Sequence, residues 1–279
     1  MYCRPIHIHA ALKPKSSTSH WDVRHKVRRV AVMSSTDLVR WSYPRTVMYP
    51  DERDIDYDQC VVFRYGSHWI MLYSAMDGDH DGSNEIRFAS SPDGLHWTRF
   101  YTREPYLGRG GQGEWNGGQV FGACPPVRVG EDLYQYYSGT VNPQHMLAQG
   151  SMGGIGLSVV KADRFVEQRA GEEPGYLLTK EFILEGRRLS VNVVMNNMPY
   201  KEQGMKVEIV SHPPLGGHSG SVQAIEGYTL DDCDLIKGAD TQRTVTWNGN
   251  SDLSPLVGKP VYVRFKLQNM GLFSFTIHS

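Results

Sequence analysis

Apolar and polar residues alternate along this chain in short runs, and no stretch has the spacing of a long amphipathic helix. Val61 to Tyr65, Trp69 to Ser74, Ile86 to Ser90 and His96 to Tyr101 are β-rich runs separated by Gly, Asp, Ser and Pro. Four consecutive strands joined by tight turns predict one antiparallel sheet. Further strands are predicted at Leu189 to Val194, Met205 to Val210, Arg243 to Trp247, Val261 to Leu267 and Phe273 to Ile277. Within Val261 to Leu267 the alternation is clean, with Val261, Val263, Phe265 and Leu267 on one face. That is the pattern of a half-buried strand in an antiparallel sandwich.

The first part of the pattern repeats. Phe63-Arg64-Tyr65-Gly66-Ser67-His68-Trp69-Ile70-Met71-Leu72-Tyr73-Ser74 recurs as Val127-Arg128-Val129-Gly130-Glu131-Asp132-Leu133-Tyr134-Gln135-Tyr136-Tyr137-Ser138. A second element places Ser34, Ser35, Asp37 and Trp41 against Ser90, Ser91, Asp93 and Trp97. Repetition of a four-stranded unit at about 60 residues is the sign of a β-propeller blade. The last unit runs from Pro125 through Tyr137 and Ile155 to Phe165, its Ser/Asp element decayed to Ser158-Val159-Val160-Lys161-Ala162-Asp163. The first unit is expected to keep only its third and fourth strands, with Met1-Tyr2-Cys3 where a second strand ends. Two and a half blades follow from this, as though the front of a propeller were missing. Beyond Gly171-Glu172-Glu173-Pro174-Gly175 the period disappears. The expected organisation is all-β, a partial propeller over residues 1–175 and a β-sandwich over 176–279.

Composition narrows the function classes. A net charge of −1 and a pI of 6.8 give no electrostatic reason to expect nucleic acid or a membrane as partner. Arg24-His25-Lys26-Val27-Arg28-Arg29 is the one basic cluster and reads as a solvated loop and strand edge. The 15 tyrosines and six tryptophans favour a sugar-stacking surface. Cys3, Cys60, Cys124 and Cys233 show no metal-type spacing, and Cys60 and Cys124 read as buried thiols. With neither a signal peptide nor a membrane-length apolar run, the expected location is cytoplasmic, unless a leader preceded the segment. An open half ring would leave a strand edge and an apolar blade face uncovered, so a homodimer or higher homo-oligomer is expected.

The turns Ser90-Ser91-Pro92-Asp93-Gly94-Leu95-His96-Trp97 and Ser34-Ser35-Thr36-Asp37-Leu38-Val39-Arg40-Trp41 resemble those of five-bladed propeller glycoside hydrolases, the clan of families 32 and 43. Gly113-Glu114-Trp115-Asn116-Gly117-Gly118, followed by Pro125-Pro126-Val127 and Tyr136-Tyr137-Ser138-Gly139, is similar to a late blade of that clan. Gly227-Tyr228-Thr229-Leu230-Asp231-Asp232-Cys233-Asp234 through Val245-Thr246-Trp247 and Gly258-Lys259-Pro260-Val261 resembles the sandwich that follows many such propellers. The resemblance implies a carbohydrate substrate and hydrolysis by carboxylates. The family's three catalytic carboxylates belong to early blades, so none maps directly onto this chain. Hydrolysis needs two carboxyl groups roughly 5 to 9 Å apart across the scissile bond.

The resemblance makes Asp56 the first candidate, since blade entrances of this type often carry an Asp. It lies in Asp54-Ile55-Asp56-Tyr57-Asp58-Gln59, which leads into the presumed inner strand; the alternative is an acidic, solvated turn. Glu114 is the second, beside Trp115, where packing on the indole would raise its pKa; the alternative is a Gly-rich loop with a solvated Glu. Asn116 stands where family members often carry Asp. Tyr57, Trp115 and Arg4 are the expected substrate contacts. His7 and His9 would share one face of an extended segment and could hold a divalent metal; the alternative is ordinary exposed histidines and no cofactor. Asp77-Gly78-Asp79-His80-Asp81-Gly82 reads as a hairpin turn rather than a calcium loop. Ser16 to His20 and Gly150 to Gly154 read as loops without a nucleophile elbow. Three functions stay open: a glycoside hydrolase using Asp56 and Glu114, a catalytically silent carbohydrate-binding module, and a metal-assisted ester or phosphoester hydrolase at His7 and His9.

Overall fold

The computed structural model describes residues 1–3, 6–8, 26–50, 54–77, 83–100, 104–122, 124–143, 152–195, 202–212 and 223–279. Among these the fold is all-β, with one 3-10 turn at Ser254–Leu256. Propeller-type blades are followed by a β-sandwich. The chain divides into two compact units, Met1–Val160 and Lys161–Ser279. This division precedes residue 175, the boundary expected from loss of the repeat. The segment between joins the second unit through strand pairing, which a sequence period does not report.

In the first unit, β1 (Tyr2–Cys3), β4 (Val30–Val32) and β5 (Arg45–Met48) form one sheet, and β2 (Ile6–Ile8) pairs with β3 (Lys26–Arg28). Tyr2 pairs with Val32 and Ile6 with Arg28, one continuous antiparallel register. The two pairs are therefore stretches of a single hairpin. Tyr2–Cys3 and Ile6–Ile8 supply second-strand pairing to this blade, beyond the third and fourth strands that were expected.

The next blade is a four-stranded meander of β6 (Asp54–Tyr65), β7 (His68–Asp77), β8 (Asn84–Ser91) and β9 (Thr98–Arg99). Residues Asp54 to Gln59 are strand, not the turn expected, because they pair with β7 across register shifts at Asp54/Asp56 and Tyr57/Cys60. The third blade contains β10 (Gln119–Gly122), β11 (Val127–Val129), β12 (Asp132–Thr140) and β13 (Gly153–Lys161). Strands β10 and β11 pair with opposite ends of β12, so together they occupy the place of β6. The break falls at Pro125-Pro126, which bring no N–H to the ladder.

Strand β7 is buried on both faces from Ile70 to Met76. Met71, Tyr73 and Ala75 pack with Val30, Met48, Tyr57 and Ala89, joining the first two blades. Ile70 and Leu72 point the opposite way. Their repeat counterparts, Tyr134 and Tyr136, lie on a barer face: Tyr136, Val127 and Val129 are exposed there.

The repeated Ser/Asp/Trp element is a self-bonded turn. Ser35 Oγ and Ser91 Oγ accept the N–H of Leu38 and Gly94, both at 2.8 Å. Asp37 Oδ1 accepts from Val39 and Arg40, and Asp93 Oδ1 from Leu95 and His96, all within 2.8–2.9 Å. Trp41 and Trp97 donate Nε1–H to the carbonyls of Leu38 and Gly94. Leu38 and Gly94 are left-handed, φ 62° and 77°. The conserved spacing thus serves backbone satisfaction, the structural role expected for Trp97.

The second unit stacks two antiparallel sheets. One orders β14 (Gln168–Arg169), β22 (Met270–His278), β17 (Arg188–Met195) and β20 (Asp240–Thr244). The other orders β15 (Gly175–Leu178), β21 (Pro260–Gln268), β18 (Gly204–His212) and β19 (Gln223–Ala224), with β16 (Phe182–Ile183) also on β21. Val261, Val263, Phe265 and Leu267 are buried as their alternation predicts, against Leu189, Val191, Val207 and Ile209. Trp247 is in the same core and donates Nε1–H to the Val207 carbonyl at 2.9 Å.

Candidate functional site

Asp56 lies within β6 and is fully buried. Its Oδ1 accepts the backbone N–H of Arg28 at 2.6 Å and that of Tyr57 at 2.9 Å, and its Oδ2 accepts Arg28 Nε. Arg28 Nη1 also donates to Asp58 Oδ1 at 2.8 Å. Burial pushes the Asp56 carboxyl up from its ordinary range, against the opposing pull of the Arg28 guanidinium and the hydrogen bonds. The group ties β3 to β6 and presents no face to solvent. Arg28 and Arg29 are themselves buried, which corrects the reading of the basic cluster as solvated. Tyr57, expected as a sugar wall, is 1% exposed and belongs to the core. Its hydroxyl donates to the Tyr49 carbonyl at 2.9 Å and accepts from Arg99 Nη1 at 2.6 Å.

Glu114 and Trp115 lie in the turn ahead of β10. The repeat aligns Asp56 with Val120 rather than with Glu114, so the two blade entrances are not equivalent positions. The turn is closed by Glu114 N–H to Gly111 O at 3.1 Å and Gly117 N–H to Glu114 O at 3.0 Å. Glu114 Oε2 accepts Gly111 N–H at 2.9 Å, and its side chain is exposed. Trp115 is 40% exposed yet fixed from below. It stacks on Tyr137 with centroids 5.6 Å apart and planes at 27°, and Asn116 Nδ2 donates to the Tyr137 hydroxyl at 3.3 Å. The result is an aromatic surface held in place beside an exposed carboxylate that bonds the Gly111 N–H.

A buried polar group sits between the second and third blades. Asn84 Nδ2 donates to Gln119 Oε1 at 3.1 Å, and both residues are fully buried. Nearby in sequence, Arg109 Nη1 donates to Ser83 Oγ at 2.8 Å and reaches the Gly117 carbonyl at 3.4 Å. Arg109 thus links the start of β8 to the turn that carries Trp115.

Arg4 and His9 lie outside the described residues, and His7 is described by its backbone position in β2 alone. His20, His25 and most of Asp77 to Gly82 also lie outside them, as do Ser16 to Ser19. Among the described residues no cluster of three His, Cys, Asp or Glu is placed to hold a metal. Among them, too, no helix is long and apolar enough to cross a membrane. Cys60 and Cys124 are half-buried rather than fully buried, and Cys233 is buried. Sequence reasoning missed Arg28 as the partner of Asp56, and it missed Tyr137 and the glycines beneath Trp115. The signal for the glycines was present, because Gly153, Gly154 and Gly156 interrupt what is otherwise a strand.

No family model matches this chain, and no curated protein matches it. Several solved structures are similar to it. One, a glycoside hydrolase, shares 17% identity over 50% of this chain and 38% of its own, with a TM-score of 0.39. A family 43 arabinoxylan arabinofuranohydrolase from Bacillus subtilis shares 12% identity over 90% of this chain and 59% of its own, with a TM-score of 0.31. Zg3597, a family 117 glycoside hydrolase from the marine bacterium Zobellia galactanivorans, shares 14% identity over 86% and 71%, with a TM-score of 0.36. This chain thus spans 38% of the first of these proteins and 59% of the second. The assignment of blades rests on the sheet topology described above.

Proposed function

We propose that this is a carbohydrate-acting protein of the glycoside hydrolase type, with its sugar site at Trp115. The observation that carries the reading is a partly exposed indole, stacked on Tyr137 and fixed at a blade entrance. An aromatic surface held rigid in advance costs little side-chain entropy when a sugar ring lies on it. Glu114, one residue away and exposed, is the acid/base carboxyl in this reading. Asp56 is not its partner, because a carboxylate without solvent exposure and bonded to Arg28 cannot face a scissile bond. A second reading, a binding module without turnover, draws its support from that same withdrawal of Asp56.

Calorimetric titration with methyl glycosides, run beside chromogenic glycoside assays with and without EDTA, separates the readings. Binding that depends on Trp115, with EDTA-insensitive turnover that depends on Glu114, supports the hydrolase. Binding without turnover supports the module. Chelator-sensitive ester or phosphoester turnover would move the site to His7 and His9, and binding that survives Trp115→Ala would sink the placement. The bare face of the third blade further supports self-association as a homo-oligomer.

A further inference from the structure

Three strand glycines beneath Trp115 have no backbone reason to be glycine. Gly139 on β12 and Gly154 and Gly156 on β13 are absent from the residues of positive φ, unlike Gly66, Gly113 and Gly130. A glycine inside a strand weakens it, through lost packing and greater freedom in the unfolded chain. What distinguishes these three is space. A β-carbon on Gly154 would stand 3.1 Å from Trp115 Cε3 and 3.3 Å from Cζ3. On Gly156 it would stand 2.8 Å from Trp115 Cη2 and 2.5 Å from Tyr137 Cζ. On Gly139 it would meet Trp115 Cζ3 at 3.1 Å and Asn116 Cβ at 2.6 Å. By contrast, nothing lies within 4 Å of a β-carbon at Gly66, Gly113 or Gly130.

All of these indole contacts fall on the six-membered ring. The benzo half of Trp115 is therefore the half seated on the sheet, which leaves the pyrrole edge and its Nε1–H away from these contacts. Among the described residues that N–H has no acceptor, whereas Trp41, Trp97 and Trp247 each donate theirs to a backbone carbonyl. An anchored ring with an unused donor at its open edge matches one kind of ligand. It suits a ring that offers a C–H face for stacking and a hydroxyl oxygen to accept the N–H, and the exposed Glu114 carboxylate one residue away disfavours an anion there.

We infer that Gly139, Gly154 and Gly156 are positioning residues that seat the Trp115 indole, and that the ligand is a neutral sugar ring with a hydroxyl accepting Trp115 Nε1–H. This rests on the carbohydrate reading above for its ligand, but not for the seating of the ring. The test uses the full chain and its variants Gly156→Ala, Gly154→Ala and Trp115→Phe, with Ser158→Ala as a control on the same strand. Near-ultraviolet circular dichroism and acrylamide quenching report the ring. Titration with neutral methyl pyranosides and with anionic uronic acid glycosides reports the ligand.

Gly156→Ala is expected to change the near-ultraviolet spectrum and to weaken pyranoside binding about tenfold or more. Ser158→Ala should leave both within about twofold. Trp115→Phe, which keeps an aromatic face but lacks the donor, should weaken binding to an intermediate degree. Gly154→Ala makes the milder contact and decides the matter if Gly156→Ala does not fold. An unchanged spectrum and quenching in a folded glycine variant would overturn the positioning role. Preference for the uronic acid glycosides, or unimpaired binding by Trp115→Phe, would overturn the ligand assignment. If the unmodified chain binds no sugar, the carbohydrate reading and ligand assignment fail together, while the spectra still decide the seating.

Discussion

Arg28 and Asp56 form a buried ion pair in which one arginine serves the same carboxylate twice, through its backbone N–H and through Nε. The side chains are 6% and 1% exposed. Removing Asp56 takes away two of the bonds that hold Arg28 and leaves the buried guanidinium its bond to Asp58. Asp56→Ala is therefore expected to cost about 3 kcal/mol of stability, the low end for a broken buried pair, read as a shift of the urea midpoint. A catalytic Asp56 would behave differently, losing turnover in Asp56→Asn while the midpoint stayed in place.

Glu114 and Trp115 are adjacent in the chain but should separate in function. Trp115→Ala is expected to lose about 1 kcal/mol or more of sugar affinity, together with some stability, because the ring stacks on Tyr137 and packs over Gly154 and Gly156. Glu114→Gln keeps a carbonyl oxygen to accept the Gly111 N–H, so the turn should hold and affinity should persist. Turnover, where present, should fall by about a hundredfold or more if Glu114 is the acid/base group. Equal loss of affinity and turnover in Glu114→Gln would place it in binding alone.

Leu38 occupies a position that the second copy of the turn fills with Gly94. Its φ of 62° carries the left-handed penalty of an L-residue, about 1–2 kcal/mol. The side chain is exposed, so its loss removes little packing. Leu38→Gly should therefore stabilise the chain by a net amount of about 0.5–1 kcal/mol after glycine's own entropic cost. A lowered Tm in Leu38→Gly would mean that the exposed leucine packs on something in solution.

These residues also show what could be read from the chain alone. The blade turns were legible because Ser, Asp and Trp at fixed spacing satisfy their own backbone, a local job that leaves a local pattern. The sandwich strand at Val261 to Leu267 was legible for the same reason, since alternation is written within one strand. Arg28 and Asp56 were not, because their pairing joins two strands distant in sequence, and a basic cluster and an acidic run look equally solvated on paper. The register shifts in β6 were invisible too, so the strand was expected to begin after Gln59 when it begins at Asp54. At the candidate site, Glu114 and Trp115 stood out by type, while the seat for the ring is written only as missing side chains.

Asp93 links the repeated turn to acid stability. Hydrogen bonds from His96, from the backbone of His96 and Leu95, and from Ser91 hold its carboxyl well below the usual carboxylate range. Asp37 is lowered in the same way by its own turn. A carboxyl depressed on folding contributes stability that is complete above its unfolded pKa, about 3.9, and is lost as pH falls toward the folded value. The Tm of the unmodified chain should thus decline steadily as pH drops below about 5. In Asp37→Asn/Asp93→Asn, whose amide oxygens still accept from the backbone, the decline should be shallower. Parallel declines in the two proteins would show that other groups govern acid unfolding.

The third blade leaves a face that its predecessor covers. Ile70, Leu72 and Ser74 of β7 are buried, but their counterparts Tyr134, Tyr136 and Ser138 on β12 are more open, and Val127 and Val129 beside them are exposed. On β13, Ile155, Leu157 and Val159 alternate outward and are all exposed, Ile155 at 79%. A contiguous apolar sheet face of this kind is costly in water and favours a flat apolar partner. Within this fold, such a face is otherwise covered by another blade. A second copy of the chain carries the same apolar face, and an isologous contact would bury that face on both copies at once. Light scattering is therefore expected to give twice the monomer mass at micromolar concentration. Leu157→Lys with Val159→Glu should return the chain to a monomer with unchanged sugar affinity, since neither side chain contacts Trp115. A monodisperse monomer for the unmodified chain would rule the association out, and a dimer that survives both substitutions would move the contact to another surface.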